Sequence, residues 1–238
     1  MKELIKNILK RAGKQIINFP DYDLARRMKL VNHLNIDTLF DVGANDGKYA
    51  TIMREIGYGE KIISFEPLKS AFEGLKKTSI KDKNWVINNY ALGHENINSF
   101  INVAANSGSS SILNMLPIHL KNAPDSLYIA KEEITIKKMD TIFSSFVTKE
   151  NNVMLKIDTQ GFEKNVLDGA SESLNDIKII QLEMSLVQLY ESELLFNDMI
   201  KYLNEKGFQL CSIENGFSDN ITYQLLQVDG IFVQKRYL

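Results

Sequence analysis

Apolar residues recur along this chain with two periods, and the alternation between them predicts its architecture. Near the N-terminus Leu4, Ile5, Ile8, Leu9, Ala12 and Ile16 fall on one face of a helix, with Lys2, Lys6, Lys10, Arg11 and Lys14 on the other. A second helix is expected over 23–34, after Pro20. Residues 38–43 form a short apolar run ending in glycine and read as a buried strand. A helix over 47–56 follows, stopped by Gly57 and Gly59. The next strand, 61–66, ends at Pro67 and leads into a helix over 70–77. A third strand is expected over 85–92. Strand 153–158, helix 164–174, strand 177–183 and helix 193–206 then repeat the alternation, and Gly207 closes the last helix. Strands 208–213 and 230–233 are expected to pair as a terminal antiparallel ribbon.

Strands that alternate with helices build a parallel sheet covered on both faces. Ligands of such sheets sit beyond the carboxyl ends of the strands, where strand order reverses. The segment 93–138 breaks the alternation. It holds the polar run Asn106-Ser107-Gly108-Ser109-Ser110-Ser111, then Pro117 and Pro124. It reads as an insertion beside the site, with one hairpin pairing 100–103 and 134–137. The expected organisation is a helical extension over 1–35 and an α/β domain over 36–238.

Composition narrows the function. Hydrophobic residues make up 44% of the 238 and charged residues 24%, a globular rather than a disordered balance. Lys and Arg number 28 against 30 acids, a net charge of −2, so no basic field invites nucleic acid. One cysteine, Cys211, excludes an internal disulfide and a multi-cysteine zinc site and fits a reducing cytoplasm. Three histidines with no pair at helical spacing argue against a histidine-rich metal enzyme. No apolar run reaches the roughly 20 residues that span a bilayer. Lysines interrupt the N-terminal apolar stretch, so it is not read as an export signal. That basic helix suits peripheral contact with an anionic membrane or a cover for the sheet; the lack of an aromatic anchor before Phe19 favours the cover. Nothing in the pattern specifies an oligomeric state.

The turn after the first strand carries the first chemistry. In Asp41-Val42-Gly43-Ala44-Asn45-Asp46-Gly47, Gly43 permits a sharp turn and Gly47 lets a helix start close to the sheet. The spacing G-x-x-x-G is not the dinucleotide fingerprint G-x-G-x-x-G. Asp41 and Asp46 flank the turn; acids would repel a pyrophosphate and attract a cation. S-adenosylmethionine, with a sulfonium and an ammonium, fits that pattern better than NAD. Ala44 and Asn45 complete the turn around it. Glu66 ends the second strand 19 residues after Gly47 and is placed to accept both ribose hydroxyls. Asn89, Tyr90 and Ala91 end the third strand, where an adenine would lie. Tyr90 is either its stacking partner or a core aromatic.

The sequence resembles a family. Residues 41–49, Phe65-Glu66-Pro67, Ala91-Leu92-Gly93, Leu155-Lys156-Ile157-Asp158-Thr159-Gln160-Gly161-Phe162-Glu163 and Val166-Leu167-Asp168-Gly169-Ala170 are similar to the FkbM family of S-adenosylmethionine-dependent methyltransferases, over about 38–233. The 155–170 motif is the specific part. The resemblance implies a Rossmann-like, seven-stranded class I methyltransferase fold, mostly parallel with a terminal antiparallel strand and helices on both faces. It also implies O-methylation, often of sugars, glycans or polyketides. Gln160 departs from the family, which more often has an acid there.

Methyl transfer is an in-line displacement in which a protein aligns the reactants and removes a proton. An alcohol needs help from a base or a metal ion. Asp158, at the end of its strand, is the main candidate on the acceptor side. Lys156 lies on the same face two residues earlier and needs an acidic partner if buried. Glu163 and Glu183 are candidates to converge on the same crevice. Asp158 with Glu183 would suit Mg²⁺ or Mn²⁺, or a non-haem iron if a histidine joined; the competing reading is a lysine–carboxylate network that orients loops. His94 and His119 are further candidates for a base or an acceptor contact. Residues 98–138 and 185–193 are expected to line the acceptor site, with 107–111 suited to a polyhydroxylated molecule. A sugar nucleotide or a surface polysaccharide or glycan precursor is the leading acceptor, from the resemblance. The alternatives are a polyketide-like small molecule, a non-catalytic nucleoside-binding module, an NAD-dependent oxidoreductase and an RNA methyltransferase.

Overall fold

Two five-residue strands with every residue buried form the centre of the molecule, and their burial follows from helices on both faces of the sheet. The computed structural model describes residues 19–238, so the amphipathic helix expected before residue 18 lies outside the described residues. In chain order the elements are α1 (Tyr22–His33), β1 (Thr38–Val42), α2 (Lys48–Glu55), β2 (Lys61–Phe65), α3 (Lys69–Ser79), β3 (Trp85–Asn88), β4 (Ala91–Leu92) and β5 (Ile97–Ala104). They continue with α4 (Pro117–Asn122), β6 (Tyr128–Lys137), α5 (Met139–Ile142), β7 (Val153–Ile157), α6 (Glu163–Asp168), β8 (Ile177–Ser185), α7 (Phe196–Glu205), β9 (Phe208–Asn215) and β10 (Gln227–Gln234). Among the described residues no helix is long and apolar enough to cross a membrane.

The main sheet has seven strands in the order β3-β2-β1-β7-β8-β10-β9. All pairs are parallel except those of β10, which runs antiparallel to β8 and β9. Strand order reverses between β1 and β7, where Thr38 pairs with both Lys61 and Val153. Side chains alternate between two cores. On one face Leu39, Met154, Ile179 and Ile231 pack with Val31 of α1 and Met53 of α2. On the other, Phe40, Leu155, Ile180 and Phe232 pack with Val166 of α6 and Leu203 of α7.

Four expectations need correction. The third strand divides: β3 stays in the main sheet, and the chain turns so that Ala91 and Leu92 pair with Ile136 and Lys137 of a second, three-stranded sheet. The insertion's hairpin is present in a shifted register, with Ile134 opposite Ser99 and Ile136 opposite Ile97. Charges at Lys131, Glu132 and Glu133 obscured how long β6 is. The helix over 164–174 stops at Asp168. Asp140 takes the backbone N–H groups of Glu172 and Ser173, which a continuing helix would need. Likewise α7 begins at Phe196 rather than 193, because the Glu193 carboxylate ties down the 185–190 loop through Ser185 and the backbone N–H of Leu189 and Tyr190.

At the reversal point the backbones of β1 and β7 touch. Gly43 has φ +76°, and a Cβ added there would lie 1.9 Å from the Asp158 carbonyl oxygen. A Gly43→Ala variant must combine a left-handed backbone with a displaced β7 end. Its expected destabilisation is about 2–3 kcal/mol. Thermal unfolding checks this: the midpoint falls by about 5–10 °C, whereas an unchanged midpoint refutes the packing described.

Candidate active site

The turn after β1 wraps around the Glu66 carboxylate. Glu66, buried at the end of β2, accepts the backbone N–H of Asn45 (2.8 Å) and of Leu68 (2.8 Å). One side chain thus fixes both the glycine turn and the start of α3. Burial pushes its carboxyl up to about 7, against the two N–H groups that favour the charge. Each oxygen keeps a lone pair beyond its one backbone bond, so the carboxylate retains capacity for two further hydroxyl donors. Gly47 serves a different end. It caps α2 at φ +88°, and a Cβ there would meet Leu75 and Trp85 at 2.9 Å, so its role is packing.

Lys156 organises the acids of β1 and β7. Its ammonium lies 3.3 Å from Asp41 Oδ1, 3.5 Å from Asp158 Oδ2 and 3.5 Å from the Gly43 carbonyl oxygen. Burial opposes its charge, yet Asp158 and Asp41 hold it above the usual lysine range. Asp41 is fully buried beneath the turn, where Ser64 Oγ donates to it at 3.1 Å. It therefore underlies the cavity through Lys156 rather than lining it.

Gln160 occupies the space between the two carboxylates weighed as metal ligands. Its Nε2 donates to Asp158 Oδ1 (2.8 Å) and Glu183 Oε2 (3.0 Å), and its Oε1 accepts the Tyr190 hydroxyl (2.7 Å). Gln227 Nε2 also donates to Glu183 (2.9 Å). Burial and the charges of Asp158, Asp229 and Glu163 push the Glu183 carboxyl well up. An amide N–H sits where a cation would need an oxygen, so this donor set does not fit a divalent ion. Among the described residues no group of three or more His, Cys, Asp or Glu side chains is placed to hold one.

A cavity of about 380 Å³ opens at the ends of β1, β2 and β7. Gly43, Ala44, Asn45, Asp46, Glu66, Ala91, Lys156 and Asp158 line it, so most of the residues singled out in the sequence come together. Tyr90 does not; it packs on Phe65, ring centroids 5.5 Å apart, and beneath Lys137. Glu163 turns away into its own loop, accepting Thr159 N–H (2.8 Å) and Thr159 Oγ1 (3.1 Å). His94 is exposed beside Glu95, and His119 is buried against Tyr190 and Phe217. Neither reaches the cavity.

The cavity has two chemically distinct ends. Beyond Glu66 the walls are apolar: Leu68, Ala91, Leu92, Ile101, Ile112 and Phe162. The other end is polar, with Arg27, Tyr49, Lys156, Gln181 and Asp229. Ser107, Gly108 and Ser110 cross over the glycine turn, and Ser107 Oγ donates to Asn45 Oδ1 at 3.3 Å. Apart from Ala91, the apolar wall was missed from sequence, as were Arg27 and Asp229. Ile101 and Ile112 belong to the insertion, and nothing in local spacing joins α1 or β10 to the turn. An apolar slot, a paired-acceptor carboxylate and a polar far end fit a nucleoside.

Two outcomes test this geometry. Glu66 can accept two hydroxyls in addition to its two backbone N–H groups only while ionised, and its carboxyl is raised to about 7. Affinity for S-adenosylhomocysteine is therefore expected to weaken as pH falls from 8 to 6, by calorimetry, and to be pH-independent in Glu66→Gln. The opposite slope refutes the assignment. Gln160→Glu replaces the amide donors with a third carboxylate beside Asp158 and Glu183. Its unfolding midpoint is expected to drop more at pH 8 than at pH 6; an equal drop would show that the amide does not hold the two acids together.

The model of the methyltransferase FkbM domain matches residues 41–210, more than half of the chain. Among solved structures, the chain is similar to methyltransferase FkbM from Methylobacillus flagellatus KT, at 14% identity and a TM-score of 0.51, covering 82% of this chain and 44% of that one. It thus spans less than half the length of that relative. It is also similar to a putative S-adenosylmethionine-dependent methyltransferase from Listeria monocytogenes, at 11% identity and a TM-score of 0.48, over 88% of this chain and 96% of that one. A further neighbour is TrmK of M. capricolum, solved in complex with S-adenosylhomocysteine, at 6% identity and a TM-score of 0.48, over 91% of this chain and 70% of that one. No curated protein matches the sequence. The Rossmann-like, seven-stranded class I methyltransferase fold is as expected, and on the match over residues 41–210 the chain belongs to the FkbM methyltransferase family.

Proposed function

We propose that this protein is an S-adenosylmethionine-dependent O-methyltransferase acting on a hydroxyl of a sugar, as a sugar nucleotide or a polysaccharide or glycan precursor, in the cytoplasm. The observation that carries the reading is the two-ended cavity at the strand reversal. Its apolar slot beside Glu66 suits an adenosine, and its polar end suits a molecule rich in hydroxyls. Glu66 would hold the ribose, and Leu68, Ala91, Ile101, Ile112 and Phe162 would enclose the adenine. When bound, the donor supplies an electrophilic methyl group on a positively charged sulfur. Asp46 at the mouth and Asp158 beside Lys156 would be the carboxylates available to that charge.

At the polar end Asp158 and Lys156 would bind and orient the acceptor. Asp158 is itself anchored by Gln160 Nε2, so its carboxylate is held in one place. A polyketide-like acceptor would present mostly carbon to Asp229, leaving its carboxylate without a partner, whereas a sugar hydroxyl would donate to it. The polar crossing at 107–110 adds hydroxyl and backbone groups over the same opening. The net charge of −2 supports a small acceptor over RNA.

The test is methyl transfer from S-adenosylmethionine to a panel of sugar nucleotides, glycans and polyketide-like alcohols, read by mass spectrometry of the products. The expected outcome is a singly methylated sugar and one S-adenosylhomocysteine per turnover. Glu66→Ala removes two charge-assisted hydrogen bonds and is expected to lower kcat/KM for the donor about 100-fold or more. Methylation confined to polyketide-like alcohols would overturn the sugar assignment. Donor binding with no turnover on any acceptor would leave a binding module.

A further inference from the structure

Among the described residues, two of the four acids that line the cavity are already engaged. Glu66 holds two backbone N–H groups, and Asp158 is held by Lys156 and Gln160. Asp46 is exposed at the mouth. Asp229, on β10, lines the polar end, is half-buried, and has no side-chain hydrogen bond or ion pair with any described residue. Its strand places it between two further acids, opposite Glu183 on β8 and Glu214 on β9. An unpartnered carboxylate that lines the polar end of the cavity is placed to take a proton from whatever binds there.

We propose that Asp229 is the proton acceptor for the sugar hydroxyl, a catalytic residue lying outside the matched segment 41–210. This rests on the O-methylation reading given above. In the step the acceptor hydroxyl loses its proton to an Asp229 carboxylate oxygen, its oxygen forms the new bond to the methyl carbon, and the electron pair of the broken carbon–sulfur bond stays on sulfur. Asp229 becomes a neutral carboxylic acid and returns the proton to solvent after product leaves.

The surroundings support the role. Burial and then Asp158 raise the carboxyl to about 6, with Glu214 adding to the rise; Lys156 and Arg27 oppose it. Those groups and Glu183 are the charged side chains facing it from α1, β7, β8 and β9. A base that ionises just below neutral pH is matched to proton removal at physiological pH. Arg27 braces the same recess. Its guanidinium is paired with Glu214 and lies over the Tyr49 ring at 5.1 Å, while the Tyr49 hydroxyl donates to Gln181 at 2.7 Å. Asp229 therefore faces the cavity from a wall whose other polar groups are already tied to one another.

The experiment compares the full chain with Asp229→Asn and Asp229→Ala, using S-adenosylhomocysteine as the binding probe and whichever sugar the wild type methylates as acceptor. Affinity for S-adenosylhomocysteine, by calorimetry, is expected to stay within threefold in both variants, which also shows that they fold. Acceptor affinity of the S-adenosylhomocysteine complex is expected to stay within threefold in Asp229→Asn. In that variant kcat is expected to fall about 100-fold or more and the acidic limb of its pH profile, near pH 6, to disappear. Wild-type kcat and an intact acidic limb in Asp229→Asn would overturn the proposal alone. So would a parallel loss of S-adenosylhomocysteine affinity, which would place the carboxylate in the nucleoside site. Failure of the wild type to methylate any hydroxyl would overturn the O-methylation reading and this proposal together.

Discussion

Carboxylates concentrated at one edge of a sheet repel one another, and the buried ammonium of Lys156 is what makes that concentration tolerable here. It stands between Asp41 on β1 and Asp158 beyond β7, the two strands at which the order reverses. Removing one partner of a buried charged pair is far more damaging than replacing the pair, because it strands the other charge. The glycine turn depends on the same arrangement. Gly43 lets the β1 backbone approach Asp158 so closely that no side chain fits, and Lys156 reaches the Gly43 carbonyl. Charge pairing and backbone contact therefore position the cavity floor together.

Gln160 extends this logic toward β8. By donating to Asp158 and Glu183 and accepting from Tyr190, one neutral amide joins two acids that would otherwise oppose each other. An acid at this position would remove the donors and add a third negative charge. The departure from the family pattern noted in the sequence thus has a local consequence: Asp158 and Glu183 are joined through the N–H groups of a neutral amide, beside the charge that Lys156 supplies to Asp158.

The chemistry nearest the strand ends was legible in the sequence because it is local. Gly43, Asn45 and Glu66 follow strands whose apolar runs announce them, and the motif around Asp158 sits in one stretch. The terminal antiparallel ribbon was legible for the same reason. What escaped depends on register or on distant segments. Asp229 and Arg27 come from β10 and α1, just over two hundred residues apart, and only the sheet order and the packing of α1 bring them together. The apolar slot draws Ile101 and Ile112 from the segment that broke the periodic pattern. Tyr90 was read as a candidate stacking partner for adenine, but the chain leaves the main sheet at that point and directs the ring onto Phe65.

A crystal structure of the chain with S-adenosylmethionine tests the central claim most directly. The account predicts the ribose hydroxyls on the Glu66 carboxylate, the adenine between Leu68 and Phe162, and the sulfonium directed toward Asp158. A ligand bound with its adenosine at the Arg27 and Asp229 end, or outside this cavity, would contradict it.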